Sequence, residues 1–243
     1  MCTVTYIPQN NGFLLTSNRD ENAARSPQNL SRIQQNGATL LFPRDTTAGG
    51  TWIAVSDTEK MVCLLNGAFV KHKHRPPYKR SRGIMVLDFF KFPKAENFFD
   101  EYDFEGMEPF TTVLFDRGNL FEFRWDEKNK HIRQLDPNQK YIWSSCTLYP
   151  PDIQAKRKAW FDQWIQNTAD FSRETVLDFH QNGGEKDAWN GFVMNRMGLV
   201  QTVSITSIQK TAAGFDMKYL DLIRKETKQG ALTFAPTPAP GAP

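Results

Sequence analysis

The chain has 243 residues, 40% of them hydrophobic with nineteen Phe and six Trp, enough to bury a sizeable core in one large domain or two small ones. Its net charge is +3, with thirty Lys and Arg interspersed among twenty-seven Asp and Glu, so composition implies no obligate nucleic-acid partner. No apolar run follows a basic N-terminal flank and none is long enough to span a bilayer, so neither a secretory signal nor a membrane span is expected.

Residues 2–7 and 13–18 read as strands rich in Thr, Val, Ile, Phe and Leu, joined through Pro8-Gln9-Asn10-Asn11-Gly12, where Asn-Gly signals a hairpin. A turn centred on Asn10-Asn11 sets Cys2 opposite Arg19, and one centred on Asn11-Gly12 sets it opposite Glu21. Either register returns residues 18–21 to the N-terminus. If the initiator Met1 is removed, which the small side chain of Cys2 permits, a thiol and a free α-amine share one residue. That amine, with an ordinary pKa of about 7.7–8, can take the thiol proton through a water. Cys2 is therefore a candidate nucleophile. Asp20 can hold the α-ammonium, and Arg19 can pair with Asp20 or draw the thiol toward thiolate. Asn18 and Glu21 flank them as candidate substrate-binding residues.

Residues 22–43 read as a loop. The paired glycines of Asp45-Thr46-Thr47-Ala48-Gly49-Gly50 allow positive φ or a close backbone approach before a strand at 51–56. A buried strand at 61–65 ends at Asn66-Gly67. Two successive antiparallel pairs with helices later in the chain fit the α+β class. Asn66 either offers an amide and a backbone N–H to a developing oxyanion or is simply a turn residue. Residues 71–82 carry six positive charges and two histidines but one aromatic ring, which reads as a solvated loop and not a nucleic-acid surface. His72 and His74 lack a third ligand, so no metal is expected. Ser81 can cap a following helix, and Arg82 can meet an acidic part of a substrate.

Helices follow at 84–90 and 95–102, then a hairpin of strands 110–115 and 120–125. Strands at 131–135 and 141–146 complete a second sheet. A helix at 152–166 presents Ile153, Trp160, Phe161, Trp164 and Ile165 on one face, with Lys156, Arg157 and Lys158 elsewhere. The helix at 172–180 ends before Asn182-Gly183-Gly184, where His180 would supply a favourable C-terminal charge. Strands at 199–208 and 215–222 close a single domain over 1–229, and the Pro/Ala-rich residues 230–243 read as a disordered tail. Cys2, Cys63 and Cys146 are odd in number and lack metal-like spacing, so neither a disulfide framework nor a zinc site is expected, and a reducing, cytoplasmic location is.

MCTVTYIP, LLTSNRDEN and AGGTWIAV together resemble the NRDE family, also called the transport and Golgi organisation 2 family, most strongly over the first part of the chain. That family is similar in turn to N-terminal-nucleophile (Ntn) hydrolases of the choloylglycine hydrolase and penicillin acylase type, in which an N-terminal Cys attacks an amide. The resemblance implies a four-layer αββα sandwich of two mainly antiparallel sheets flanked by helices. It matches Cys2, Arg19 and Asp20 to the catalytic positions and Asn66 to an oxyanion donor. Two positions depart from it. Ser145 stands near where relatives carry an Asn, offering a shorter hydroxyl donor, and Gln201 lies where an Arg would be expected. The resemblance thus implies an amidohydrolase or acyltransferase acting on a small-molecule amide or thioester, without a cofactor. The alternative is a non-catalytic protein that binds or traffics a lipid, acyl-CoA or haem; Cys2, Arg19 and Asp20 favour the first, Ser145 and Gln201 the second.

Overall fold

The computed structural model describes residues 2–25, 29–185 and 187–235, with Cys2 described by its backbone. Strand β1 (Cys2–Gln9) pairs with β2 (Gly12–Glu21) about a turn at Asn10-Asn11, so Cys2 is the partner of Arg19. Gly12 belongs to the strand because a Cβ there would run into the Lys210 carbonyl of a neighbouring strand.

The stretch expected to be a loop contains a further hairpin, β3 (Leu30–Gln35) and β4 (Ala38–Pro43). Asn36 and Gly37 turn it with φ of 48° and 76°, the backbone that Asn-Gly favours in a two-residue loop. Its first strand has few apolar residues, Leu30 and Ile33, which hides its alternation. With β5 (Ile53–Ser56), β6 (Lys60–Asn66), β7 (Phe110–Asp116), β8 (Asn119–Trp125) and β9 (Lys130–Leu135), the two strands make a seven-stranded antiparallel meander in chain order.

The other sheet runs β10-β1-β2-β12-β13-β14, where β10 is Tyr141–Ser144, β12 Val200–Lys210, β13 Gly214–Asp221 and β14 Glu226–Thr233, with the short β11 (Asn195–Arg196) also on β12. Two expectations are corrected here. The first hairpin and the second strand pair lie in different sheets, and β10 leaves the 110–135 strands to pair with β1, Thr3 opposite Ser144. The fold also continues beyond residue 229. Leu232 is buried opposite Phe215, and the Phe234 ring stands 5.3 Å from that of Phe215. The rest of the expected tail, 236–243, lies outside the described residues.

Phe13 of one sheet meets Phe115 of the other at 4.9 Å between ring centroids, within an apolar core that the two sheets share. Helices α1 (Arg82–Asp88) and α2 (Ala95–Glu101) cover the outer face of the meander, where Phe99 packs on Phe121 and Phe123. Each phenyl ring so buried contributes about 1.5–3 kcal/mol. Helices α3 (Pro151–Asn167) and α4 (Arg173–Asn182) cover the other sheet, with Phe161, Val176 and Phe179 on Ile7 and Leu14. The result is the αββα sandwich, class α+β. Ser172 caps α4 by accepting from the Thr175 N–H, whereas Ser81 stands at the α1 N-cap without a side-chain cap bond. Among the described residues no helix is long and apolar enough to cross a membrane.

Strand alternation fixes what each residue of the first hairpin can reach. Val4, Tyr6 and Leu15 face the other sheet, while Ile7 and Leu14 face α3 and α4. Neighbours 19 and 20 therefore serve opposite sides of one sheet.

Candidate active site

Arg19 ends a run of buried β2 residues and is itself 4% exposed. Its guanidinium donates to the Asp45 carboxylate at 2.6 Å and to the Arg25 carbonyl at 2.7 Å, and lies 4.2 Å from the Trp52 ring centroid. Asp45 is the partner that sequence reading passed over. Its Oδ2 takes a second ion pair from Arg25 at 2.6 Å, and its Oδ1 accepts the N–H groups of Thr47 and Ala48. Burial pushes this carboxyl up, but the Ala48 amide and the two guanidinium charges outweigh it and hold the carboxyl below its ordinary range. The glycines behind this loop behave as their sequence suggests. Gly49 has φ of 72°, and Gly50 lies so close to Gly83 that a Cβ would fall inside the Gly83 backbone.

Arg19, Asp45 and Trp52 line one side of a cleft of about 360 Å³, with Glu21, Asn66 and Arg82 around it. Cys2 stands at the register position opposite Arg19, on a strand whose even-numbered residues Val4 and Tyr6 face the other sheet. Asn66 is the last residue of β6, and its side-chain amide bonds to no described residue. The next residue, Gly67, has φ of 81° and sits against Cys146, so turn geometry and a free amide coexist at this point. Glu21, on the rim, accepts from Arg25 at 2.7 Å.

Arg82 lines the cleft already paired, to Glu108 at 2.8 Å and to the Pro109 carbonyl at 2.9 Å. Its charge is offset inside the protein, which weakens the expectation that it meets an acidic substrate group. His72 and His74 converge on the same carboxylate, at 2.9 and 3.2 Å from Glu108 Oε1. Burial raises the Glu108 carboxyl, but Arg82 and the two imidazoles more than offset it, leaving a net depression.

Asp20 occupies the helix side of the sheet, fully buried. It does not face Arg19. One carboxylate oxygen accepts from Thr202 Oγ1 and the other from the Tyr149 hydroxyl, each at 2.7 Å. The register of β2 against β12 shifts between Thr202 and Ser204, the partners of Asp20 and Arg19, a bulge that locally re-aims these side chains. Burial raises the Asp20 pKa against the opposing charge of Arg157 and the two hydroxyl donors. Arg157, set off the aromatic face of its helix by the sequence pattern, is fully buried. It stacks 3.7 Å from the Tyr149 ring centroid and donates to Thr3 Oγ1 and to the Asn190 and Gly191 carbonyls. A cation thus reaches the neighbourhood of Asp20 from α3, where Gln201 of β12 supplies none.

Two expected substrate-binding residues do not reach the cleft. Asn18 faces α4, where its amide donates to the His180 and Phe192 carbonyls at 2.9 and 2.7 Å and its oxygen meets His180 Nδ1. His180 Nε2 lies 2.7 Å from Thr5 Oγ1, so the ring is neutral with its proton on Nδ1 and the threonine hydroxyl donating. Burial, aided by Arg157, pushes the His180 pKa down to about 3. It is not the charged helix terminus its position suggested. Ser145 is 1% exposed, and its hydroxyl donates to the Asn66 carbonyl at 2.7 Å. That bond braces β6 from below; it does not point a donor into the cleft.

The register thus sets position 2 opposite Arg19, whose guanidinium serves the cleft, while the neighbouring Asp20 carboxylate is buried on the other face of the sheet and the Asn66 amide also lines the cleft. Asp45, Tyr149, Arg157 and Thr202 were missed because each acts across 20 or more residues of sequence. Residues 1–208 match the model of a family described as Transport and Golgi organisation 2. No curated protein matches the chain. Among solved structures, a Caenorhabditis elegans ortholog of N-acylethanolamine-hydrolyzing acid amidase superposes with a TM-score of 0.58 at 10% identity, over 85% of this chain and 92% of that one. Two single-residue variants of the conjugated bile acid hydrolase of Clostridium perfringens each superpose with a TM-score of 0.51 at 10% identity. They cover 95% and 98% of this chain and 96% and 100% of their own. At that identity the likeness shows a shared Ntn-hydrolase fold.

Proposed function

Since the chain belongs to the Transport and Golgi organisation 2 family and has the fold of amide-cleaving enzymes, we propose that it is an Ntn amidohydrolase or acyltransferase whose nucleophile is Cys2, residue one once Met1 is removed. The observation that carries this reading is the hairpin register, which pairs Cys2 with Arg19, a residue that lines the cleft and is followed in sequence by buried Asp20.

In this mechanism the α-amine takes the thiol proton, and the Cys2 sulfur attacks the carbonyl carbon of a small-molecule amide or thioester. The developing oxyanion accepts from the Asn66 amide. The resulting α-ammonium, stabilised by Asp20, protonates the leaving group as the C–N or C–S bond breaks. Water or an acceptor amine, deprotonated by the same α-amine, then releases the acyl group from sulfur. Arg19, held by Asp45 and Trp52, keeps a positive potential beside the sulfur. Tyr149, Thr202 and Arg157 oppose in part the burial that raises the Asp20 pKa, and so favour its ionised form. Such a free thiol suits a reducing compartment, and we place the chain in the cytoplasm.

A second reading rests on Ser145. Its hydroxyl is spent on the Asn66 carbonyl, so no second side-chain donor comes from that position, which favours a non-catalytic protein that binds or traffics a lipid, acyl-CoA or haem in the same cleft. Intact-mass measurement before and after brief treatment with a thiol electrophile at neutral pH separates the two. Loss of Met1 and selective single labelling at Cys2, with turnover of an acyl-amide panel that Cys2→Ala and Cys2→Ser abolish, supports the enzyme. Retained Met1, or ordinary labelling rates with ligand binding that survives both substitutions, supports the carrier.

A further inference from the structure

The cleft beside Arg19 has a volume of about 360 Å³, near the bottom of the ~300–1,000 Å³ span of small-molecule sites, which as a rule are walled by apolar and aromatic side chains. Here seven of the sixteen described lining residues are charged, and Ala48, Trp52 and Leu64 are the apolar ones. Trp52 and Leu64 are 5% and 6% exposed, and the Arg19 guanidinium stacks on the indole, so hydrocarbon at the cleft surface is scarce. An alkyl chain gains about fourfold in affinity for each CH2 that such surface takes out of water, and this cleft has little to offer it. Arg80 lines both the cleft and a neighbouring groove walled by Phe92 and Tyr102. It is ion-paired to Asp88, which also holds Lys91 and the Tyr102 hydroxyl, so a chain leaving the cleft that way crosses charged groups.

Nor does the cleft attract an acid. Arg19 and Arg25 are balanced by Asp45 and Glu21, Arg82 by Glu108 and Arg80 by Asp88. An anionic ligand competes with an internal carboxylate for each of these cations. The donors left to a ligand are neutral. The Asn66 amide bonds to no described residue, and the Ser81 hydroxyl makes no cap bond. The Tyr78 hydroxyl accepts from the Arg75 N–H at 2.8 Å, which leaves its own proton to donate. We infer that the cleft selects a compact, uncharged amide or thioester that carries further oxygen acceptors, such as a carboxamide, over long alkyl chains and acids, with Ser81 and Tyr78 as specificity-determining residues. The inference rests on the reading of this cleft as the site of Cys2 chemistry and names the substrate class for it. A site that hydrogen-bonds its ligand discriminates against analogues lacking the acceptor, because its donors are then left unmatched.

The test is calorimetric titration of the full chain carrying Cys2→Ala, in which ligand binds without turnover. The ligands are glycinamides acylated by the straight-chain acids from acetyl to dodecanoyl, by succinamoyl and by succinyl. Succinamoyl binds about twofold to tenfold tighter than butanoyl, its equal in carbon count. Succinyl, with a carboxylate in place of the carboxamide, binds more weakly than succinamoyl, and affinity is level from butanoyl to dodecanoyl. Ser81→Ala and Tyr78→Phe, each added to Cys2→Ala, lower the succinamoyl affinity about twofold to tenfold and leave butanoyl unchanged, whereas a merely structural effect weakens both ligands alike. Affinity that climbs about fourfold per CH2 toward dodecanoyl overturns the inference. So do succinyl binding tighter than succinamoyl, succinamoyl binding that both variants leave intact, and no binding of any ligand in the series. Because binding is read without chemistry, the expected order of affinities together with a wild type that turns none of these amides over removes the Cys2 reaction and leaves the selectivity standing.

Discussion

Asp45→Asn removes the charge on which Arg19 and Arg25 converge without changing the volume of the side chain. Each guanidinium bond to Asp45 Oδ2 is 2.6 Å long, and a hydrogen bond to a charged group is worth about 1.5–3 kcal/mol. A carboxamide has one oxygen. It can serve the Thr47 and Ala48 amides or the two guanidiniums, and in the first case its NH2 faces the cations. Arg25 is 35% exposed and its share is small, so most of the loss falls on the buried Arg19, which loses its 2.6 Å ion pair to Asp45. The sum is about 2–4 kcal/mol, or about 4–16 °C in melting temperature for a chain of this size. The pH dependence carries the sign. Because the folded state holds the Asp45 carboxyl below its ordinary 3.8, its contribution is present above that value and is lost as pH falls through the folded pKa. Calorimetry from about pH 7 to about pH 3 should show the gap between wild type and variant widest near neutrality and closing in acid. A melting temperature within about 1 °C of wild type at neutral pH, or a gap that stays constant in acid, refutes the role given to Asp45.

Asn66→Ala should leave the melting temperature unchanged, since its amide bonds to no described residue, and lower kcat on any amide substrate by about a hundredfold to a thousandfold with little change in KM. An unchanged kcat removes it from the oxyanion site. Tyr149→Phe deprives buried Asp20 of a donor and should cost about 1–3 kcal/mol in denaturant titrations. The loss is larger at alkaline than at acid pH, because Asp20, its pKa raised by burial, needs the hydroxyl most when ionised. His180, held neutral with a pKa of about 3, makes the unfolded chain bind one more proton below its ordinary 6.5. Stability should therefore fall on acidification from that point by up to about 1.4 kcal/mol per pH unit, a slope that His180→Gln abolishes. Gly50→Ala sets a Cβ into the Gly83 backbone and should cost about 3 kcal/mol or more; a variant that melts with the wild type contradicts the close approach.

How much of this was legible in the sequence differs from element to element. The first hairpin was readable because Thr, Val and Leu alternate on both sides of Asn10-Asn11-Gly12, yet its register was not, since either turn satisfied local chemistry. The Lys210 carbonyl, a contact made with β12, selects the turn that leaves Gly12 in the strand. The 30–43 hairpin was lost to a polar first strand despite its Asn36-Gly37 turn, and β14 to the composition of the residues after it.

Local pattern by itself determined that a Cys, an Arg and an Asp return to one end of a hairpin, that an Asn ends a nearby strand, and that two glycines precede Trp52. Tertiary structure decided which side each one serves. Adjacent strand residues point to opposite faces, so Arg19 and Asp20 part company, one to Asp45 and Trp52 in the cleft, the other to Tyr149 and Thr202 under the helices. The same rule draws Asn18 away from the cleft. Buried charges are stable only where partners satisfy them, and those partners arrive from elements 26 to 182 residues away, a distance over which sequence carries no geometric signal.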